Sequence, residues 1–215
     1  MATSPERVTA LISPVRLASY RRDTTSVAEA VRLYEWNLRA SASVLVITGL
    51  VEVVTRNALD RELVAWADRR PPRADWFDVV PLDRQGSGDL AKARHRATRA
   101  GRREEVHGRV VAELTFGFWR YLVESRYHAS LWVPALHRAF ACGPSDLRVR
   151  RAEVARRFQQ LHFVRNRAAH HEPIHSRDLA RDHRMALELL RWVSPHAGTW
   201  ADEVSDLPAV IAARP

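Results

Sequence analysis

The chain has 215 residues, enough for one domain with a substantial core, and its 46% hydrophobic and 27% charged residues exclude a wholly disordered polypeptide. A single cysteine, Cys142, excludes an internal disulfide and fits a reducing cytoplasm. The formal charge of +9 favours polyanionic partners such as nucleic acid, although 33 of the 34 basic residues are arginine, which is also what a GC-rich coding sequence writes into any protein.

Residues 1–22 place Val8, Leu11, Ile12, Val15 and Leu17 at helical spacing, interrupted at Pro14, so two short helices are expected with Pro14 in the first turn of the second. Glu6 and Arg7 break up the apolar residues there, and no signal peptide is expected. Asp23 to Ser26 offer caps for a long helix that runs without proline to about Asp68, with Gly49 as a candidate bend. Its most apolar run, Ser43 to Val54, is bounded by Glu52 and Arg56, so no membrane span is expected. Within this helix Glu52 and Arg56 stand four apart, the spacing of a solvated ion pair. A second reading has Arg56-Asn57 facing the Arg-Asn dipeptide at 165–166.

Residues 71–101, after Arg69-Arg70-Pro71-Pro72, are expected to form an irregular connection, docked by Trp76, Phe77, Val79, Val80 and Leu82 and flexible at Gly86-Ser87-Gly88. Lys92 to Arg109 is rich in arginine. It could meet phosphates, but it reads more simply as a solvated helical face. The stretch Leu114 to Leu122 has aromatic residues on two helical faces and belongs to the core.

A helix starting near Ser145 or Asp146 carries an apolar row, Val154, Phe158 and Leu161, that Arg165 continues. Gln159, His162, Asn166 and His170 form a polar row beside it. Glu172 precedes Pro173, which puts the helix end near His170 or His171. One more helix, from about Ser176 to Val193, and a tail over 194–215 complete a single domain with its core at about 14–193.

Several chemistries can be weighed against these residues. His162, His170, His171 and His175 lack the spacing of a zinc site, Gly86-Ser87-Gly88 lacks a phosphate-loop lysine, and no Gly-x-Ser-x-Gly turn is present. No cofactor is expected. Metal-independent RNA cleavage needs a proton acceptor, a proton donor and a cation for the phosphate, and the short Arg165-x4-His170 segment carries imidazole and guanidinium together. Spacing alone equally allows an arginine and a histidine that only satisfy one another and nearby carbonyls.

The segment Arg165-Asn166-Arg167-Ala168-Ala169-His170-His171-Glu172-Pro173-Ile174 resembles the signature of Abi-like (abortive-infection, AbiD/AbiF type) proteins of the HEPN superfamily. Three upstream blocks resemble the same family in order: Tyr34-x-Trp36-Asn37, Glu52-Val53-x-x-Arg56-Asn57 and Leu114-Thr115-Phe116-Gly117-Phe118-Trp119. The likeness spans roughly residues 14–193. It implies an all-α HEPN-type helical bundle and endoribonuclease activity in phage defence through a composite site made from two copies. Arg165, Asn166 and His170 would then be catalytic, with His171, which satisfies the spacing as Arg-x5-His, the alternative acid/base. His171, Glu172, Arg56 and Asn57 would support them, and Arg167 and His162 would bind RNA. On an ideal helix Arg165 and His170 point about 140° apart, which also favours a homodimer. The implied partners are RNA and a second copy, with an antitoxin or small regulatory RNA left open.

Overall fold

The computed structural model describes residues 4–70, 72 and 74–215, and among them every regular element is helical. α1 (Pro5–Ile12) and α2 (Pro14–Arg21) each begin on a proline behind a serine cap, Ser4 and Ser13, whose hydroxyls accept from Arg7 and Arg16 backbone N–H groups. Proline at the first helical position lacks an N–H that would be unpaired there anyway, so the interruption at Pro14 is a restart.

α3 (Val27–Ala67) is the axis of the molecule. Ser26 caps it through Glu29 N–H, and the Glu29 carboxylate reaches back to Thr25. Its 41 residues run unbroken through Gly49, where the sequence suggests a bend, for a length of about 60 Å. Leu33, Trp36, Ala40, Val44, Ile47, Val51, Leu59, Leu63 and Trp66 bury one side of it against α2 and the helices that follow. The apolar stretch is longer than the Ser43–Val54 run suggests. α3 contains an 18-residue window of mean hydropathy 1.6, long and apolar enough to cross a bilayer, and 44% of that window is buried inside the bundle.

The connection over 71–101 is not irregular. It contains α4 (Trp76–Val79) and α5 (Arg84–Ala97), with Gly86-Ser87-Gly88 inside the first turns of α5. The Asp83 side chain accepts from Gly86 N–H and offsets the poor helix propensity of the glycines. Gly86 also sits in a tight spot, where a Cβ would lie 3.2 Å from Leu82 and 3.4 Å from Tyr121 and would push those side chains aside by a few tenths of an ångström. In the arginine-rich run Lys92 pairs with Asp89, Arg94 with Asp78 and Glu105, and Arg96 with Glu113, while Arg99, Arg102, Arg103 and Arg109 are exposed to solvent. That is the solvated-face reading.

α6 (His107–Glu113) and α7 (Phe116–Leu122) follow, with Phe116, Phe118, Trp119 and Leu122 buried. Short 3-10 and π turns, not one helix, carry the chain from Ser125 to Phe140. α8 (Leu147–Ala169), capped by Asp146, and α9 (Leu179–Val193) pack on each other and on α3. Arg157 joins them by ion pairs to Glu153 and Glu188, with its guanidinium over Trp192. The expected tail is helical and docked: α10 (Pro195–Val204) lies on α9, and α11 (Leu207–Ala212) is tied to α3 where Trp36 Nε1 donates to the Val210 carbonyl at 2.7 Å.

Candidate functional site

The buried row of α8 is Val154, Phe158, Leu161, Val164 and Ala168, which leaves the neighbouring row of Gln159, His162, Asn166 and His170 at the surface. The helix closes at Ala169. His171 N–H then donates to the Ala168 carbonyl at 3.1 Å and Glu172 N–H to the Arg167 carbonyl at 2.8 Å, with His171 left-handed at φ 56°. This is the Schellman closure, in which glycine usually occupies the left-handed position. A histidine in that conformation costs about 1 kcal/mol or more.

The strained turn is clamped from outside. Arg16 Nη1 donates to the His171 carbonyl at 2.6 Å, the buried Asn37 amide oxygen accepts from Ile174 N–H at 2.8 Å, and Arg167 donates to the Pro173 carbonyl. His175 leaves the surface altogether, its ring packed at a tilt against Tyr20 and its Nε2 2.9 Å from Asp23. Burial pulls its basicity down, against the opposing pull of Asp23. The four histidines weighed as metal ligands are therefore not gathered, and the described residues contain no cluster of three or more histidine, cysteine or carboxylate groups able to hold a metal ion.

Two clefts flank α8. One, of about 380 Å³, is lined by Arg120, Gln159, His162, Phe163, Asn166, Arg167, His170 and Glu172. The other, of about 400 Å³, is lined among others by Glu52, Arg96, Glu113, Thr115, Gly117, His162 and Arg165. Only His162 belongs to both, so the segment 165–172 splits around it. Asn166, Arg167, His170 and Glu172 open to one side and Arg165 to the other. His171 is exposed and lines neither cleft.

A hydrogen-bond relay crosses this divide. Arg165 Nη1 donates to Asn166 Oδ1 at 3.3 Å, which orients the amide so that Nδ2 faces His162 Nε2 at 3.2 Å. An amide NH₂ can only donate, so His162 Nε2 accepts and its ring is neutral. Burial, reinforced by the charges of Arg120 and Arg165, lowers its pKa below the usual histidine value and favours that neutral form. Phe116 meets the ring edge-on at 5.7 Å, and Gly117 lies beside it, where a Cβ would make ordinary contact 3.6 Å from Nε2.

The upstream blocks now have physical roles. Trp36 and Asn37 anchor α11 and the turn after α8. Thr115 caps α7, and Phe116 packs edge-on against His162. Glu52 opens into the Arg165 cleft and forms no ion pair with Arg56 among the described residues, so the simple i,i+4 bridge is absent. Arg56 is half-buried with its Nε unpaired among the described residues, Asn57 is exposed, and neither lines the two clefts.

Arg120, Gln159 and Phe163 are the additions that sequence reading passed over as cleft residues. Arg120 sits on the aromatic helix α7, one turn beyond Phe116. Its only charged contact among the described residues is Glu124 at 3.4 Å, and its buried Nε is unpaired. A lone cation inside an aromatic core helix was the signal available for it.

The His170 cleft thus sets imidazoles at His162 and His170 beside the cations Arg120 and Arg167, with Arg167 partly neutralised by Glu172 at 3.1 Å. Such a set can bind an anion and move protons without a metal. No family model, curated protein or solved structure matches the chain.

Proposed function

We propose that the protein is a metal-independent endoribonuclease of the HEPN type, an abortive-infection effector that works in the cytoplasm as a homodimer. The observation that carries this reading is the division of α8. Its C-terminal end offers Arg165 on one side and His170 on the other, so a single chain presents two half-sites and a two-fold copy can complete each. In the completed site a guanidinium from Arg165 binds the scissile phosphate and offsets charge as the 2′-oxygen attacks. One imidazole takes the 2′-hydroxyl proton and a second protonates the departing 5′-oxygen, giving a 2′,3′-cyclic phosphate and a 5′-hydroxyl. Asn166, oriented by Arg165, holds its neighbour His162, and Arg167 and His162 lie where RNA would pass. The resemblance of the four sequence blocks to Abi-like proteins supports the same reading.

The test is RNA cleavage by purified protein in EDTA, alongside Arg165→Ala and His170→Ala. Loss in both variants is expected, and equal activity in all three proteins refutes the proposal. A second reading has the basic cleft hold an RNA, such as a small regulatory RNA, without cutting it. It draws on the separation of Arg165 from His170 within one chain, and intact RNA that binds with strong salt dependence and no turnover would favour it.

A further inference from the structure

Phe163 is 49% exposed, whereas Phe77, Phe116, Phe118, Phe140 and Phe158 are all buried. It lines the His170 cleft together with His162 and Asn166. The guanidinium carbons of Arg177 and Arg167 lie 5.2 and 5.7 Å from its centroid, within cation–π reach. Neither arginine is free to swing away. Arg167 is held by the Pro173 carbonyl and Glu172, and Arg177 by Asp182 and by Gln160 at 3.1 Å. An apolar ring is therefore kept in water inside a cationic frame, forgoing the gain that burial would give it.

A flat apolar face beside fixed positive charge matches a nucleotide: the base offers a π-face and its phosphate meets the cations. Bases inside a duplex are already stacked on one another and cannot use such a ring, so the geometry selects an unpaired nucleotide. We propose that Phe163 is a nucleobase-stacking platform and that the cleft takes a single-stranded, unstacked nucleotide with its phosphate toward Arg120 and His170. This rests on reading the cleft as a nucleic-acid site, and it is independent of whether the strand is cut.

The experiment measures binding of an uncleavable 2′-O-methyl single strand of about ten nucleotides. Its comparators are the same strand with abasic sugars and the corresponding duplex, all at one salt concentration. Wild-type protein should bind the base-bearing strand about tenfold or more tightly than the abasic one. Phe163→Ala should remove that difference while leaving the abasic affinity unchanged. Phe163→Trp should keep the difference, with its indole fluorescence quenched on binding.

Equal affinity of wild type for the two strands overturns the proposal, as does an alanine variant that discriminates like wild type. So does an alanine variant whose main change is a shift in sedimentation, which would assign the ring to a contact between copies. If the alanine variant fails to fold, absence of quenching in Phe163→Trp overturns the proposal alone. Base-dependent binding without any RNA cleavage leaves the platform standing and removes the nuclease reading. Cleavage without base dependence does the reverse.

Discussion

Arg165 and His170, five residues apart at the end of α8, open into different clefts with the His162 ring between them. If the working site combines them, the arginine must come from one copy and the histidine from another. Mixing Arg165→Ala and His170→Ala proteins, each inactive alone, should then restore activity, because the mixed dimer retains one intact site. With random re-assortment the recovery is about a quarter of wild type. A gel-based cleavage assay on mixed and unmixed proteins decides it, and no recovery would place both groups in one chain's site.

His171 pays for a left-handed backbone and contributes its carbonyl, not its ring, to the clamp from Arg16. Replacing it by glycine keeps that carbonyl and relieves the strain. His171→Gly should raise stability by about 1 kcal/mol and leave cleavage near wild type, whereas His170→Ala should lower cleavage by roughly 10²-fold or more. Thermal melts paired with the cleavage assay separate the two histidines, and a dead His171→Gly would reverse the assignment.

Acid sensitivity follows from the buried histidines. Burial depresses the pKa values of His162, His175 and His183, so the unfolded chain takes up protons at a pH where the folded chain does not. Their contribution is whole above the ordinary histidine pKa of about 6.5 and is lost as pH falls through the lower folded values. His107 has the opposite sign. Burial pulls it down, but hydrogen bonds to Asp75 at 2.6 Å and Asp60 at 2.9 Å outweigh that and raise it. The support from His107 is present at low pH and fades as pH rises through its raised value. The melting temperature of wild type should therefore fall on acidification below about pH 6.5. The fall should be shallower in His183→Gln, whereas His107→Gln should leave its slope unchanged and lower the melting temperature more below about pH 6.5 than at a pH above the raised value of His107.

Asn37 is 1% exposed, and its amide oxygen takes the Ile174 N–H. Asn37→Ala should cost about 1–3 kcal/mol, because a buried N–H is left without a partner. It should also loosen the turn that presents His170. Hydrogen exchange at Ile174 and a denaturation curve measure the two effects, and unchanged exchange would show that Arg16 and Arg167 suffice as clamps.

The long elements were readable because their apolar positions recur at helical spacing over many turns: α3 from Val27, α8 through Val154, Phe158 and Leu161, and the last long helix up to Val193. α5 was hidden by two glycines in its opening turns, whose cost is met by the Asp83 cap and a close approach to Tyr121, neither of which shows in a periodicity. The polar row His162–Asn166–His170 and the angular separation of Arg165 came straight from helix geometry. Arg120 did not, because its place beside His162 depends on how α7 packs on α8, a relation between segments some forty residues apart.

The clamp on the turn after α8 draws on Arg16 of α2 and Asn37 of α3, residues that line neither cleft around His162. A genetic screen for inactive alleles should accordingly return two separate groups of mutations. One would surround the clefts and abolish function at every temperature. The other would map to the turn after α8, around Arg16 and Asn37, and behave as heat-sensitive alleles rescued by second-site changes that restore the grip on the backbone at 171–174.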